Sequence, residues 1–287
     1  MKKNKIKSFC KINLTLRVIK KLRNGYHNIS SFITFCDLHD VITISKIKDV
    51  KDVIYFSGKF SKGIDKKFNT ITKVLYLIRK KNLLKKTAFL ISIKKNIPHG
   101  SGLGGGSANA ANLLTFLNSK MCLNLKKNEI IKIARQVGFD VPINLEKTNV
   151  YLTGKKNETI RLNKKFKFII LLVYPNIICS TKKIYKKNKV QSLFQAVPKF
   201  KTMNQRNLIQ FLKKENNDLQ KTVIKLHPEI EKIIDFIKVQ NGCYFSRITG
   251  SGSVCVGIFS NTKTAIYTQK LIKLKFPKYW SVLSKSI

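Results

Sequence analysis

The sequence has 287 residues, 43% of them hydrophobic, enough for two modest domains or one large one. No apolar run is long enough to cross a bilayer, and the first residues, MKKNK, lack the apolar stretch of a secretory signal, so a cytoplasmic protein is expected. The net charge of +43 would usually suggest nucleic acid, but lysine supplies 50 of the 57 basic residues and is spread over the whole chain. Arginine makes the bidentate contacts to phosphate and guanine, so only salt-sensitive, non-specific polyanion binding is expected, with no specific nucleic-acid partner.

Residues 11–18 alternate: Ile12, Leu14, Leu16 and Val18 point one way, and Lys11, Asn13, Thr15 and Arg17 the other. One strand with a buried face and a polar face is expected; an ordinary solvated face explains the polar side as well as a functional one does. A turn at Arg23-Asn24-Gly25 leads to Tyr26-His27. Two apolar runs, 29–35 and 41–44, follow, with Asp37 and Asp40 between them. Residues 53–56 carry a strand signal, and 69–80 a helical one with Ile71, Val74, Leu75 and Ile78 on one face.

The stretch that organises the chain is Pro98-His99-Gly100-Ser101-Gly102-Leu103-Gly104-Gly105-Gly106-Ser107-Ala108, which packs five glycines into seven positions out of fourteen in the chain. A strand pattern over 88–95 precedes it, and Ala110, Leu113, Leu114, Leu117 and Met121 mark a helical face after it. A helix start has free N–H groups and a positive dipole end, and a glycine turn lets an anion approach the backbone. This predicts a phosphate cradle, with a flexible surface turn as the alternative. A Walker loop is excluded, because Ser-Ala follows Gly106 where Lys-Ser/Thr is needed. Gly100-x-Gly102-x-x-Gly105 matches the dinucleotide fingerprint, but no second strand ending in an acidic residue follows at the required distance. The protein-kinase motifs are absent.

A helix over 129–137 ends at Gly138, a candidate C-cap, and Asp140-Val141-Pro142 follows. The proline limits helix extension and sets Asp140 on a turn, where a purely turn-forming aspartate is also at home. A strand at 150–152 ends at Thr153-Gly154, and the domain boundary is placed there, giving 1–155 and 156–287. Residues 166–173 read as a buried strand closed by Pro175, and Ser180 or Thr181 caps a short helix carrying Tyr185. Helices are expected at 207–212 and 228–239, then a small-residue turn over 247–253, a strand at 254–259 and a helix near 263–273. The six cysteines are scattered with no C-x-x-C pair, which predicts reduced thiols and no structural metal site. Alternating strands and helices in both halves indicate the α+β class.

The Lys11/Asn13 strand, the loop at 98–108, Asp140 and the turn at 249–253 together resemble the GHMP family of small-molecule kinases. The likeness is strongest to members acting on a cytidine diphosphate sugar alcohol. It rests on Phe9-Cys10-Lys11-Ile12-Asn13-Leu14, Gly25-Tyr26-His27, Pro98 to Ala111, Gly138-Phe139-Asp140-Val141-Pro142 and Arg247-Ile248-Thr249-Gly250-Ser251-Gly252. It spans nearly the whole chain and is weakest over 185–240. Ser101 stands where the family more often has glycine and Ala108 where serine is common, both still small. His99 falls at a variable position and reads as an exposed loop histidine. Lys155-Lys156 replace small residues after Gly154.

The resemblance implies a two-domain fold, with an N-terminal ribosomal-S5-domain-2-like α/β domain and a C-terminal ferredoxin-like α/β domain. It implies transfer of the γ-phosphoryl of ATP to the 2-hydroxyl of the methylerythritol part of its substrate, a step toward isoprenoid precursors outside the mevalonate route. Asp140 would take the hydroxyl proton, with Lys11 beside it. The loop Pro98–Ala108 would hold ATP, its amides over 102–107 facing the phosphates. Mg2+ is expected with ATP, with no protein ligand identified beyond a contribution from Ser107. Asn13, Tyr26, His27 and Tyr185 would bind substrate, the tyrosines stacking on cytosine and His27 bonding its edge. For Tyr26 and Tyr185 a packed core tyrosine is the alternative. A GHMP kinase for a mevalonate-like or homoserine-like alcohol is the runner-up, disfavoured by Gly25-Tyr26-His27. An RNA-binding protein is the alternative from another class, disfavoured by dispersed lysine and the ordered Lys11–loop–Asp140 set. No sequence feature bears on oligomeric state.

Overall fold

A computed structural model describes residues 3–23, 25–84, 86–154, 158–189 and 192–287. The chain begins with β1 (Asn4–Asn13), β2 (Arg17–Lys21), β3 (His27–Ile47), β4 (Val53–Ser57), α1 (Thr70–Arg79) and β5 (Ala88–Lys94). Next come α2 (Gly105–Lys120), α3 (Lys127–Val137), a 3-10 turn over Pro142–Leu145, β6 (Asn149–Thr153), β7 (Thr159–Leu162) and β8 (Ile169–Tyr174). The remainder holds α4 (Thr181–Lys187), α5 (Gln205–Lys214), α6 (Gln220–Leu226), α7 (Glu229–Lys238), β9 (Cys243–Ile248), β10 (Cys255–Phe259), α8 (Thr262–Lys275) and β11 (Trp280–Lys285). This is the expected mixture of helix and strand.

Two compact units divide the chain, and neither is contiguous. The first comprises Met1–Lys11, Leu38–His99 and Gly104–Lys147; the second comprises Ile12–Asp37, Gly100–Leu103 and Thr148–Ile287. In the first unit the later half of β3 pairs antiparallel with β5, from Val41↔Lys94 to Ile47↔Ala88, and β4 lies parallel to β5. Helices α1, α2 and α3 cover these strands. Ile71, Val74, Leu75 and Ile78 of α1 meet Ile91 and Ile93 of β5 and Leu113, Leu114 and Leu117 of α2 in one core. Full burial of each such side chain is worth about 1.5–3 kcal/mol, which holds a helix as short as α1 in place. A capping box helps: the Asn69 side chain accepts from the amides of Ile71 and Thr72, and Thr72 Oγ1 accepts from the Asn69 amide.

In the second unit the first half of β3 pairs antiparallel with β2 and with β6, and β6 pairs with β7. A separate antiparallel sheet runs in the order β11-β8-β10-β9. Helix α7 packs on β9 and β10, and α8 on β11 and β8. Ser180 caps α4, as the sequence suggested.

Some expectations are corrected. Residues 11–18 are not one strand: β1 ends at Asn13 and β2 starts at Arg17. Between them the Leu14 amide still bonds Phe32 O of β3, but the Leu16 amide turns to Asn216 O. Its polar side is not solvated either, since Lys11, Asn13 and Thr15 are all buried. The two apolar runs at 29–35 and 41–44 are a single strand, β3, that absorbs Asp37 and Asp40. The buried strand begins at Ile169 rather than at 166. Asn24 of the expected turn and the boundary at 155/156, with Lys155-Lys156, lie outside the described residues.

Candidate active site

In the first unit the Lys11 side chain is 5% exposed, and its Nζ lies 3.3 Å from Oδ2 of Asp140, which is 31% exposed. Asp140 follows the end of α3, where the Gly138 amide bonds Ala134 O and the Val141 amide bonds Gly138 O. Asn144 Nδ2 donates to the Asp140 carbonyl at 2.6 Å, and Pro142 opens the 3-10 turn. Residues 129 positions apart in sequence thus form a buried ammonium beside a partly open carboxylate. Such a carboxylate can accept a proton from a bound hydroxyl.

The glycine loop enters α2 through Gly104, the N-cap, at φ +70. The first intrahelical bond runs from the Ala108 amide to Gly104 O at 2.9 Å, so the amides of Gly105, Gly106 and Ser107 precede the helix ladder. A Cβ added at Gly104 would stand 2.9 Å from Lys11 Cε, so the loop backbone runs against the Lys11 stem. Pro98 and Ala108 are buried, while Gly106 is exposed. His99 is half-buried rather than exposed, with Gly63 beside its ring. Burial, and then the charge of Lys95, lower its pKa.

Asp40 was not among the sequence candidates. It is fully buried and receives the amides of Asn96 and Ile97 on Oδ1 at 2.8 and 2.9 Å. Its Oδ2 receives Lys95 Nζ, and Asn109 Nδ2 at 2.9 Å. One carboxylate therefore fastens both stems of the loop, the strand side at 95–97 and the helix side at 109. The available signal was an aspartate set inside an apolar stretch, where a charge needs a partner.

In the second unit residues Gly100–Leu103 lie against the turn at 249–253. A Cβ at Gly102, whose φ is +84, would stand 2.1 Å from Thr249 O, so no side chain fits there. The Val254 amide donates to Ser101 O at 3.1 Å and the Cys179 amide to Gly100 O at 2.9 Å. Thr249 Oγ1 accepts from the Asn13 amide at 2.9 Å, and Asn13 Nδ2 donates to Ser31 Oγ at 2.8 Å. Leu103 is buried and Asn13 is 4% exposed. His27 and Tyr185 come together, ring centroids 4.9 Å apart and tilted by 32°. Tyr26 is 57% exposed, so it is not a packed core tyrosine. Burial, and then the charge of Lys21, lower the His27 pKa, which favours the neutral ring. Among the described residues no group of three or more His, Cys, Asp or Glu side chains could hold a metal ion, and no helix is long and apolar enough to cross a membrane.

Comparison with known proteins gives the family. The GHMP kinases N terminal domain matches residues 69–146, and the GHMP kinases C terminal domain matches residues 196–268. The chain belongs to the GHMP kinase family, and so is an ATP-dependent small-molecule kinase. It is 39% identical over 284 residues, 99% of either chain, to the 4-diphosphocytidyl-2-C-methyl-D-erythritol kinase of Pelagibacter ubique (strain HTCC1062). Its fold is similar to a crystal structure of 4-(cytidine 5'-diphospho)-2C-methyl-D-erythritol kinase, with a TM-score of 0.77 at 19% identity over 99% of this chain and 100% of that one. It is similar too to homoserine kinase from Cytophaga hutchinsonii, with a TM-score of 0.75 at 15% identity over 100% of this chain and 95% of that one. Two such close scores show the shared fold and leave substrate choice to the side chains.

Proposed function

We propose that the protein transfers the γ-phosphoryl of ATP to the 2-hydroxyl of 4-diphosphocytidyl-2-C-methyl-D-erythritol. The observation that carries this is the Lys11–Asp140 pair at 3.3 Å, in the same unit as the helix start at Gly105. Full-length likeness to the kinase of Pelagibacter ubique supports the choice of alcohol. Asp140 accepts the hydroxyl proton as the oxygen attacks phosphorus, and Lys11 offsets the negative charge that gathers there. The amides at 102–107 bind the phosphates of ATP, positioning them while adding no covalent chemistry. Mg2+ would supply further charge neutralisation; with no group of three or more His, Cys, Asp or Glu among the described residues able to hold it, the nucleotide's phosphates would carry it, with a contribution from the Ser107 hydroxyl. Tyr26 and Tyr185 offer aromatic faces to the cytosine, and neutral His27 bonds its edge. The same reading keeps 1–155 and 156–287 as sequence domains, although residues 12–37 and 100–103 belong to the second compact unit, and includes a cytoplasmic site of action.

The test is ADP release from ATP with three alcohols. The cytidine diphosphate substrate should support turnover, with mevalonate and homoserine at background. Turnover with homoserine alone would replace this reading with the other substrate class that shares the fold.

A further inference from the structure

The second unit contains a cleft of ≈ 610 Å³ that the proposed reaction does not use. Arg247 lines it and is 6% exposed. Its guanidinium donates to two carbonyls, Leu14 O at 3.1 Å and Leu212 O at 2.9 Å, and lies 4.1 Å over the Phe245 ring. Among the described residues it forms no ion pair: Glu215, whose charge it feels, is held by Arg17 at 2.6 and 2.8 Å. Burial lowers its pKa to about 10, only partly opposed by Glu215. A guanidinium carries five N–H donors, and two carbonyls leave the others unmet. Ser246 Oγ, in the same wall, is buried with no partner. A buried cation without a counter-charge is costly, and an anion would relieve that cost.

The rim adds to the field. Lys213, Lys221 and Lys238 line the cleft and are exposed. Two carboxylates oppose them. Oδ2 of Asp218 is engaged by the Val18 amide at 2.7 Å and the Ser192 hydroxyl at 2.8 Å, leaving Asp235 as the other acidic group. The wall also supports the turn at 248–250. Asn217 Nδ2 donates to Ile248 O at 3.0 Å and Gly250 O at 2.9 Å, and Gln220 Oε1 accepts from the Ile248 amide at 3.0 Å.

We propose that this cleft is a second anion site, taking a compact phosphate-bearing group such as the diphosphate of a small metabolite. The flat guanidinium fork suits phosphate oxygens, and the three lysines supply the remaining charge. Occupancy should tighten the turn that Asn217 and Gln220 hold.

Inorganic pyrophosphate is the probe, titrated by calorimetry into the full chain at physiological salt with a non-hydrolysable ATP analogue at saturation. One further equivalent should bind, raise the melting temperature by mass action and slow amide exchange over 248–254. Lys221→Ala with Lys238→Ala should weaken binding at least about tenfold, as should Arg247→Met. Lys263→Ala with Lys270→Ala, on exposed positions of α8, should change nothing. Should Arg247→Met fail to fold, the rim pair decides. Absence of saturable binding overturns the proposal. So does binding of several equivalents that the rim variants leave intact, which would be diffuse attraction to a chain of charge +43.

Discussion

Asp140→Asn keeps the shape of the side chain and removes the base. Turnover should fall about 10²–10⁴-fold, the usual cost of losing a general base. Lys11→Ala should cost comparably, since it removes the ammonium 3.3 Å away. The double variant should be little worse than either single one, because residues acting as a unit are non-additive. Nucleotide binding by all three, measured alongside kcat, controls for folding; near-normal kcat in Asp140→Asn would remove Asp140 from the chemistry. His27 makes a pH prediction. Its pKa is lowered by burial and then by Lys21, so the unfolded chain binds its proton more readily than the folded one. The stability from neutral His27 is therefore complete above its unfolded pKa of about 6.5 and is lost as pH falls from there toward the folded value. The KM for the cytidine substrate should stay flat from neutral pH to about 6.5 and rise below it, while the KM for ATP does not follow. His27→Gln should abolish that rise; an unchanged profile would assign the titration elsewhere.

The loop and its stems form one element, and its glycines are not equivalent. A Cβ at Gly106 meets only the Thr70 side chain, Oγ1 at 3.6 Å and Cγ2 at 3.9 Å, so the protein has room for it. Gly106→Val should leave the melting temperature unchanged and weaken ATP at least about tenfold by blocking the helix start. Gly104→Val would press on Lys11 and should lower kcat as well, a difference that steady-state kinetics will show. Asp40→Asn retains the acceptor for the Asn96 and Ile97 amides but turns a donor toward Lys95 and Asn109. It should raise the KM for ATP with little change in that for the alcohol, whereas a purely structural loss would lower the folded fraction and leave both KM values alone. Much of this element was legible in the sequence. Strand, proline, glycine turn and helix each follow from local composition, and the helical face from Ala110 to Leu117 is where periodicity puts it. Asp40 was not legible, because a buried carboxylate that satisfies four donors looks in sequence like a break between two strands. The same masking hid the continuity of β3. Residues 11–18 misled for another reason: alternation continues through 14–16, but the Leu16 amide leaves β3 for Asn216 O. The short elements β7, α6, β9 and β11 have too few residues to show a period.

The charge of the molecule as a whole is a property of its surface. With lysine dispersed over the chain, RNA affinity should be independent of sequence and should fall steeply between low and physiological salt, as counterion release requires. Filter binding with unrelated RNAs across a salt series checks this, and tight selective binding at physiological salt would contradict it. The interleaving of the two units bears on how the protein is made. All residues of the first unit have been synthesised once Lys147 is added. The second unit holds 12–37 from early in the chain, yet its closing contacts come last: Ser284 bonds Asp37, and the Ile287 amide bonds Phe35 O. At ribosomal rates of about 5–20 residues per second, the apolar side chains of that early segment await their final partners for at least ten seconds or so. Phe35 and Cys36, both buried in the finished protein and joined there to Ile287 and Ser286, are thus among the nascent chain's longest-lasting invitations to a chaperone.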